Sequence, residues 1–486
     1  MYVLITLLIV LFATFYTFIK RRYSYWEKLK IPTLNPSFPF GDLKSVPPPI
    51  QFENIYKEFK KKGVKHGGIF LFTSPQYFPI DPEIIRNIFV RDFAHFTDRG
   101  LFHNIKDQPI MGNLFFLEGT KWKNLRAKLT PTFTSGKMKM MFNTMLECSY
   151  PLKDRIEELI KTGEVIDAKE ILALFTTDVI GSCAFGIDCN SFKNPNSKFR
   201  DYGRKIFHET PFKAIKGIFQ HVFPGFAKKL RFILIAKDIE LFFNKIVTDT
   251  YLYRTENDVV RNDFMQLLIE LKKDLTLSMD EVIAQAFIFF IAGFDTTATL
   301  LTFCLSELGL NKEIQNKLRN EIKIVLNRNN GELRYESLKE MRYLDQVVLE
   351  TMRKYPPLTI FNRICTEDYR IPGSDVTLEK GVQVLISSLG LHRDPDFFPD
   401  PLRFDPDRFS DENKKDIIPG TFIPFGDGPR ICIGSRFGLM ETKICLVTLL
   451  KNFDFSVNEK TKTPLEIGLG FITTVKGGVW LDAKKV

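Results

Sequence analysis

Cysteine is scarce and scattered in this 486-residue chain: Cys148, Cys183, Cys189, Cys304, Cys365, Cys432 and Cys445 are all there is. An odd number with no CxxC pair gives no disulfide framework, offers little support for a structural zinc site and fits a reducing compartment. Tryptophan is scarcer still, 3 against 47 phenylalanines and 14 tyrosines. Most of the ring surface therefore lacks a polar handle, which suits core packing and an apolar pocket. No glycine-rich dinucleotide-binding fingerprint follows a strand. No internal repeat, low-complexity run or second linker interrupts residues 43–486, which read as one domain. There is no Lys/Arg-rich block either. Lys+Arg outnumber Asp+Glu 68 to 58, and a balance spread this way fits a membrane surface or an acidic protein partner better than nucleic acid. A merely basic soluble protein is the plain alternative.

What is present begins with an uncharged run, MYVLITLLIVLFATFYTFI, over residues 1–19. Its length suits one helical crossing of a bilayer. A cleaved signal peptide would carry its charges first, whereas here Lys20, Arg21 and Arg22 follow, so an uncleaved transmembrane anchor is favoured. Positive charge on that side predicts a cytosolic body. Pro32, Pro36 and Pro39 make residues 20–42 a basic, proline-rich hinge read as a stiff, extended lead-in.

Helical periodicity dominates residues 119–354, with short β signals near residues 67–80 and again late in the chain, so the fold class is mainly α with a minor β-sheet part built from both ends. One helix stands out. Ser278 and Glu281 form a capping-box pattern, and the apolar run that follows continues for roughly eight turns. Apolar nearly all round, it belongs at the centre of the domain; a membrane span is the rival, which Asp295 and the threonines near its middle make costly.

The stretch FIPFGDGPRICIG, residues 422–434, places Cys432 in a loop of Gly, Pro and Arg just before a helical segment. Helix dipole and amides there favour a thiolate. A nucleophile would want a histidine base, and the last third of the chain holds only His392. The better reading is a metal ligand, one sulfur holding iron whose in-plane ligands come from a porphyrin. In AGFDTT, residues 292–297, an acid sits beside a hydroxyl in mid-helix. The bland reading is a solvated acid and a core threonine; the functional one is proton delivery by Asp295 with Thr296 orienting it. Gly293 is expected to let a flat ring approach, and Thr296 to bond back to the helix and open a bulge.

The pattern Phe425, Gly428, Arg430, Cys432, Gly434 resembles the signature of the haem-thiolate monooxygenases, the cytochromes P-450, at every constrained position. The order of the other motifs is similar to that family along essentially the whole chain: anchor, proline hinge, Trp122 and Arg126, the Asp295–Thr296 helix, Glu350 and Arg353, the segment holding Arg408, and the cysteine loop. The strings FTDRG and LTPTFTSGKMK look most like microsomal members from insects. The resemblance implies the cytochrome P-450 fold with haem b (iron protoporphyrin IX) held by Cys432, and with Phe425 and Gly434 lining the ligand loop. It assigns Trp122, Arg126, Arg363, Arg430 and, more weakly, Arg99 to the propionates, and makes Glu350, Arg353 and Arg408 a buried structural network. It also implies insertion of one atom of O2 into lipophilic substrates, xenobiotics or hormone-like lipids. Electrons would come from NADPH through a separate reductase, with cytochrome b5 as a further partner, at the endoplasmic reticulum membrane with the catalytic domain in the cytosol. The alternatives are a non-redox haem-thiolate isomerase and a non-enzymatic binder of lipophilic ligands or haem. Lys137, Lys139, Arg436 and Lys443 are expected as docking charges. Residues 100–116, 207–226, Phe290, Phe294, 358–361 and 471–474 are expected as substrate walls, with ordinary core as the alternative.

Overall fold

The computed structural model describes residues 2–44, 46–207, 210–274, 276–468, 470 and 472–486; Phe471 of the expected substrate wall lies outside them. The central helix spans Met279–Leu310, 32 residues. At its start the Ser278 amide donates to Glu281 Oε2 at 2.7 Å and the Glu281 amide to Ser278 Oγ at 3.2 Å. Two donors that no helical carbonyl can reach are thereby satisfied. The helix is apolar and long enough to cross a membrane, yet 72% of its most apolar window is buried inside the protein. Helices Ala168–Ile180, Lys237–Glu256, Arg342–Lys354 and Ser435–Asn452 pack around it, which makes it the axis of the larger core.

Helix accounts for 57% of the chain. The sheet part is small and joins distant segments. Strands β1 (His66–Leu71) and β2 (Ser74–Pro79) form an early hairpin, β3 (Ile360–Ile364) and β4 (Gln383–Ser387) a late one, and the sheet runs β1-β2-β4-β3. The join is parallel, with Gln76 opposite Gln383. A second sheet sets Trp480–Lys485 between Ile166–Asp167 and Phe453–Val457. β3 and its neighbours carry Arg363 toward the cysteine loop.

The first helix, Tyr2–Tyr23, runs past residue 19 and leaves Leu7, Ile9, Leu11 and Phe12 exposed. Residues 24–42, extended in part but helical at Tyr25–Lys28, dock on the first hairpin. Trp26 is fully buried and its indole donates to Ile69 O at 3.1 Å, the Gly68 amide donates to Pro32 O, and the Phe70 amide to Asp42 Oδ2. An indole docks wherever its N–H finds a buried acceptor, and β1 supplies one.

Candidate functional site

The cysteine loop is shaped by backbone conformation. Gly428 has φ +68°, and a Cβ there would stand 1.8 Å from Phe89 O, so both the angle and the close approach exclude a side chain. Asp427 Oδ1 accepts from the Gly428 amide at 2.7 Å, and the Cys432 amide donates to Phe425 O at 3.0 Å. The next helix begins at Ser435 with Gly434 as its N-cap, three residues beyond the cysteine. A Cβ on Gly434 would meet nothing closer than Phe133, at 3.9 Å. Burial pushes the Cys432 thiol up, while the Gly434 amide, Arg126 and Arg99 pull the other way. In the folded chain by itself burial outweighs the dipole and amides expected to favour a thiolate; a coordinated cation reverses that order outright.

Cys432 is thus deep in the protein, and yet it is exposed. Across from it the central helix, buried along most of its length, exposes Ala292 and half-exposes Gly293 and Thr296. We infer from these two openings, in stretches otherwise enclosed by protein, that they border one cleft. Thr296 Oγ1 donates to Ala292 O at 2.6 Å, but the helix stays α throughout and no bulge opens. Gly293 also departs from its expected role. A Cβ there would come 2.7 Å from Ile180 Cδ1, so its missing side chain admits helix Ala168–Ile180, and Ala292 is the residue presented to the cleft. The Asp295 carboxylate turns away to Lys169, whose ammonium lies 2.5 Å from Oδ1 and 2.7 Å from Thr299 Oγ1. Sequence reasoning missed Lys169; in a first turn that also holds Glu170 it gives no distinguishing signal.

Beside Cys432, four arginines converge. Arg430 lies 4.1 Å from the Trp122 ring centre, donates to Thr97 O and Leu117 O, and pairs with Asp98 at 3.1 Å. Arg363 is nearly fully buried and donates to Asn362 O; Arg99 donates to Phe115 O. Burial, then the like charges of Arg363 and Arg430, push the Arg99 guanidinium well below its ordinary value. Arg363 is pushed down to about 9 by burial and Arg430, and Arg430 to about 10 by burial that Asp98 partly offsets. Arg126 is also lowered by burial, and Cys432 raises it. Arg363 Nε and Arg430 Nη1 have no hydrogen-bond partner among the described residues. Crowded buried cations with orphaned donors want anions. Together with an accessible sulfur and an open cleft, this donor set fits a flat iron complex carrying two carboxylates.

Farther from the cleft, Arg353 grips Glu350 bidentately, both bonds 2.7 Å, with both side chains fully buried. The remaining donors of Arg353 reach His392 O and Pro401 O at 2.8 Å. The Asp405 amide donates to Glu350 Oε1 at 2.9 Å, while Arg408 stands 3.6 Å from that oxygen and donates to Asp400 O. Burial raises the Glu350 carboxyl despite these partners. His392 accepts the Ile423 amide on Nε2 at 2.9 Å, and burial with Arg353 nearby holds it down to about 3.

Other expected positions divide. Phe290 is fully buried among Phe185, Phe199 and Phe243, so it is core and not wall. Phe294 packs on Phe207, whose ring is parallel to it. Lys443 pairs with Asp345 and is mostly buried, Lys139 pairs with Glu336 at the surface, and Lys137, half-buried, and Arg436, exposed, have no ion pair among the described residues. Two surface hollows, of about 170 and 210 Å³, lie elsewhere and contain no signature residue.

The family model described as Cytochrome P-450 matches residues 32–481. Among similar proteins of Drosophila melanogaster, one called probable cytochrome P-450 6a13 is 43% identical over 490 residues, spanning 98% of each chain. Probable cytochrome P-450 6a21 is 41% identical over 95% of each, and cytochrome P-450 6a2 is 39% identical over the full length of both. The chain, with its accessible cysteine and its ring of arginines, therefore belongs to the cytochrome P-450 family and is a haem-thiolate monooxygenase that uses haem b.

Proposed function

We propose that this monooxygenase oxygenates lipophilic substrates with electrons from NADPH delivered by a separate reductase, with cytochrome b5 as a further donor, and that it works at the cytosolic face of the endoplasmic reticulum membrane. The observation that carries the reading is Cys432, a deep yet accessible sulfur facing the central helix amid arginines short of acid partners. Cys432 Sγ would hold the iron, and Trp122, Arg126, Arg363, Arg430 and Arg99 the carboxylates, with Phe425 and Gly434 framing the loop. When bound, the haem supplies activation of dioxygen, helped by the electron push of a thiolate ligand.

The chain's own residues position and protonate. Lys169, one third exposed, links solvent to Asp295 Oδ1, and Asp295 delivers a proton toward the Thr296 hydroxyl once its carboxylate swings from Lys169 to the cleft. The bond from Thr296 to Ala292 O fixes that hydroxyl at the cleft wall. Glu350, Arg353 and Arg408 act structurally by tying the segment before the cysteine loop to helix Arg342–Lys354. Residues 1–19 serve as the anchor, 20–42 as the hinge and 43–486 as the catalytic domain. The apolar side chains exposed on the first helix and the basic residues Lys20, Arg21 and Arg22 in its last turn support this division. The family resemblance and the apolar side chains Phe115, Phe116, Leu358, Ile360 and Phe361 favour bulky lipophilic substrates over small polar ones.

Expression with a reductase, followed by a carbon-monoxide difference spectrum and a panel of lipophilic compounds scored by mass spectrometry, tests the reading. The unsubstituted enzyme should show the thiolate-type Soret band and NADPH-dependent products, and Cys432→Ala should lose both. A band retained in Cys432→Ala, or no oxygenated product from any compound, overturns it.

A further inference from the structure

Residues 112–117 run from the central helix to the arginine cluster as irregular backbone, in which neither helix nor strand supplies partners. Buried amides and carbonyls there must find partners elsewhere. At the helix end Gln285 provides them. The Leu114 amide donates to Gln285 Oε1 at 2.9 Å, and Gln285 Nε2 donates to Gly112 O at 3.2 Å, so one planar amide satisfies a carbonyl and an N–H two residues apart. The same nitrogen donates to Glu281 O, one turn back on its own helix, at 3.2 Å, which fixes the orientation of the side chain. Gln285 is fully buried. So is Asn113, whose Oδ1 accepts from the Phe115 amide at 3.1 Å while its Nδ2 donates to Ile110 O at 3.0 Å. At the far end Phe115 O accepts from Arg99 and Leu117 O from Arg430.

Half-exposed Ile288, exposed Ala292 and half-exposed Thr296 follow Gln285 at helical spacing, on the same side of the central helix. At the rise of an α-helix Gln285 lies about 10 Å along the axis from Ala292. The segment therefore leaves the helix in line with its cleft-facing stripe and ends at the arginines beside Cys432, carrying the half-buried rings of Phe115 and Phe116, 5.1 Å apart and edge-on. We propose that Gln285 is a specificity-determining positioning residue: by holding the backbone of residues 112–114 it sets how far these two rings stand from the Ile288–Ala292 stripe, and so which carbon of a lipophilic substrate is presented for oxygenation. It touches neither substrate nor cofactor. An apolar side chain of similar size would strand the Leu114 N–H and the Gly112 carbonyl in the interior, where an unmade hydrogen bond is costly. The segment would then shift toward new partners and take the rings with it. A displacement on the order of 1 Å is enough to change which C–H group lies within reach.

The inference rests on the oxygenation proposed above, and its test includes a readout that needs no turnover. In hydrogen exchange of the full-length holoenzyme, the Leu114 amide should exchange at least about tenfold faster in Gln285→Leu than in the unsubstituted protein, while the Phe115 amide, held by Asn113, keeps its protection. The carbon-monoxide spectrum should stay unchanged. For each compound of the lipophilic panel that the unsubstituted enzyme oxygenates, the ratio of regioisomeric products, a newly formed isomer included, should shift roughly three- to tenfold in Gln285→Leu. Gln285→Glu is the rescue. Its neutral carboxyl can accept from the Leu114 amide and donate to Gly112 O, so it should restore protection and product ratio at acid pH and lose both as the pH rises and the carboxyl ionises. This variant also serves if Gln285→Leu folds poorly. Product ratios in both variants equal to those of the unsubstituted enzyme at every pH, or unchanged exchange at Leu114, overturn the inference. Faster Leu114 exchange in Gln285→Leu, beside an unsubstituted enzyme that oxygenates nothing, sinks the proposed function instead.

Discussion

Thr296 lies half-exposed in the middle of the central helix, one turn after exposed Ala292. Its hydroxyl is committed to Ala292 O at 2.6 Å, so its oxygen has a fixed position at the cleft wall. Thr296→Ala should retain haem and thermal stability while product per NADPH falls about tenfold and peroxide rises, since a positioned proton donor is lost and nothing else. Measured coupling equal to that of the unsubstituted enzyme would remove the relay role. Residue types at this scale were readable in the sequence because the chemistry restricts them: a sulfur ligand, a hydroxyl beside an acid, guanidinium groups for carboxylates. Partners were not readable. Lys169 lies 126 positions before Asp295, and no local pattern joins them. Gly293 illustrates the same limit, since its role in packing against Ile180 depends on a helix far away in the chain.

The spacing of Glu350 and Arg353, three apart on one helix face, was legible as a pair. Their full burial was not, because it depends on residues 392–408 folding over that face. Burial changes the energetics entirely. A surface pair of this kind is worth under about 1 kcal/mol, whereas removing one partner here strands a charge. Glu350→Ala should cost about 3–5 kcal/mol, measured as a lower denaturation midpoint and a smaller yield of haem-loaded protein, and Lys139→Ala, which breaks an exposed pair with Glu336, should change neither. The central helix was the most legible element, as its cap, its length and its apolar character are all local. The small strands were the least, because β2 and β4 pair across some 300 positions and neither is long enough to announce itself.

At the scale of the molecule, one apolar helix is wrapped by the protein and another is not. Met279–Leu310 has its apolar surface covered by its neighbours, while the first helix, Tyr2–Tyr23, exposes side chains that water does not favour. Deleting residues 2–22 should move much of the protein from the membrane fraction to the soluble one with its carbon-monoxide spectrum intact, because Trp26 and the segment after it remain docked on the first hairpin. A truncated protein that sediments with membranes exactly as before would show that other surfaces hold it there. Proline content reports the stiffness of the lead-in, and only the fold reveals that this segment has a surface to lie on.

By itself the sequence determined the mainly helical class, the cysteine and its loop, the capped central helix, and the set of basic and hydroxyl side chains that the chemistry needs. All of these follow from residue type and short-range spacing. The tertiary structure alone decided that the arginines converge with donors to spare, that Asp295 is held by Lys169, that Phe290 is core, and that Gln285 holds the backbone of residues 112–114. Those facts arise from contacts between residues far apart in the chain, where burial sets the cost of every charge and no local pattern records which neighbour will share it.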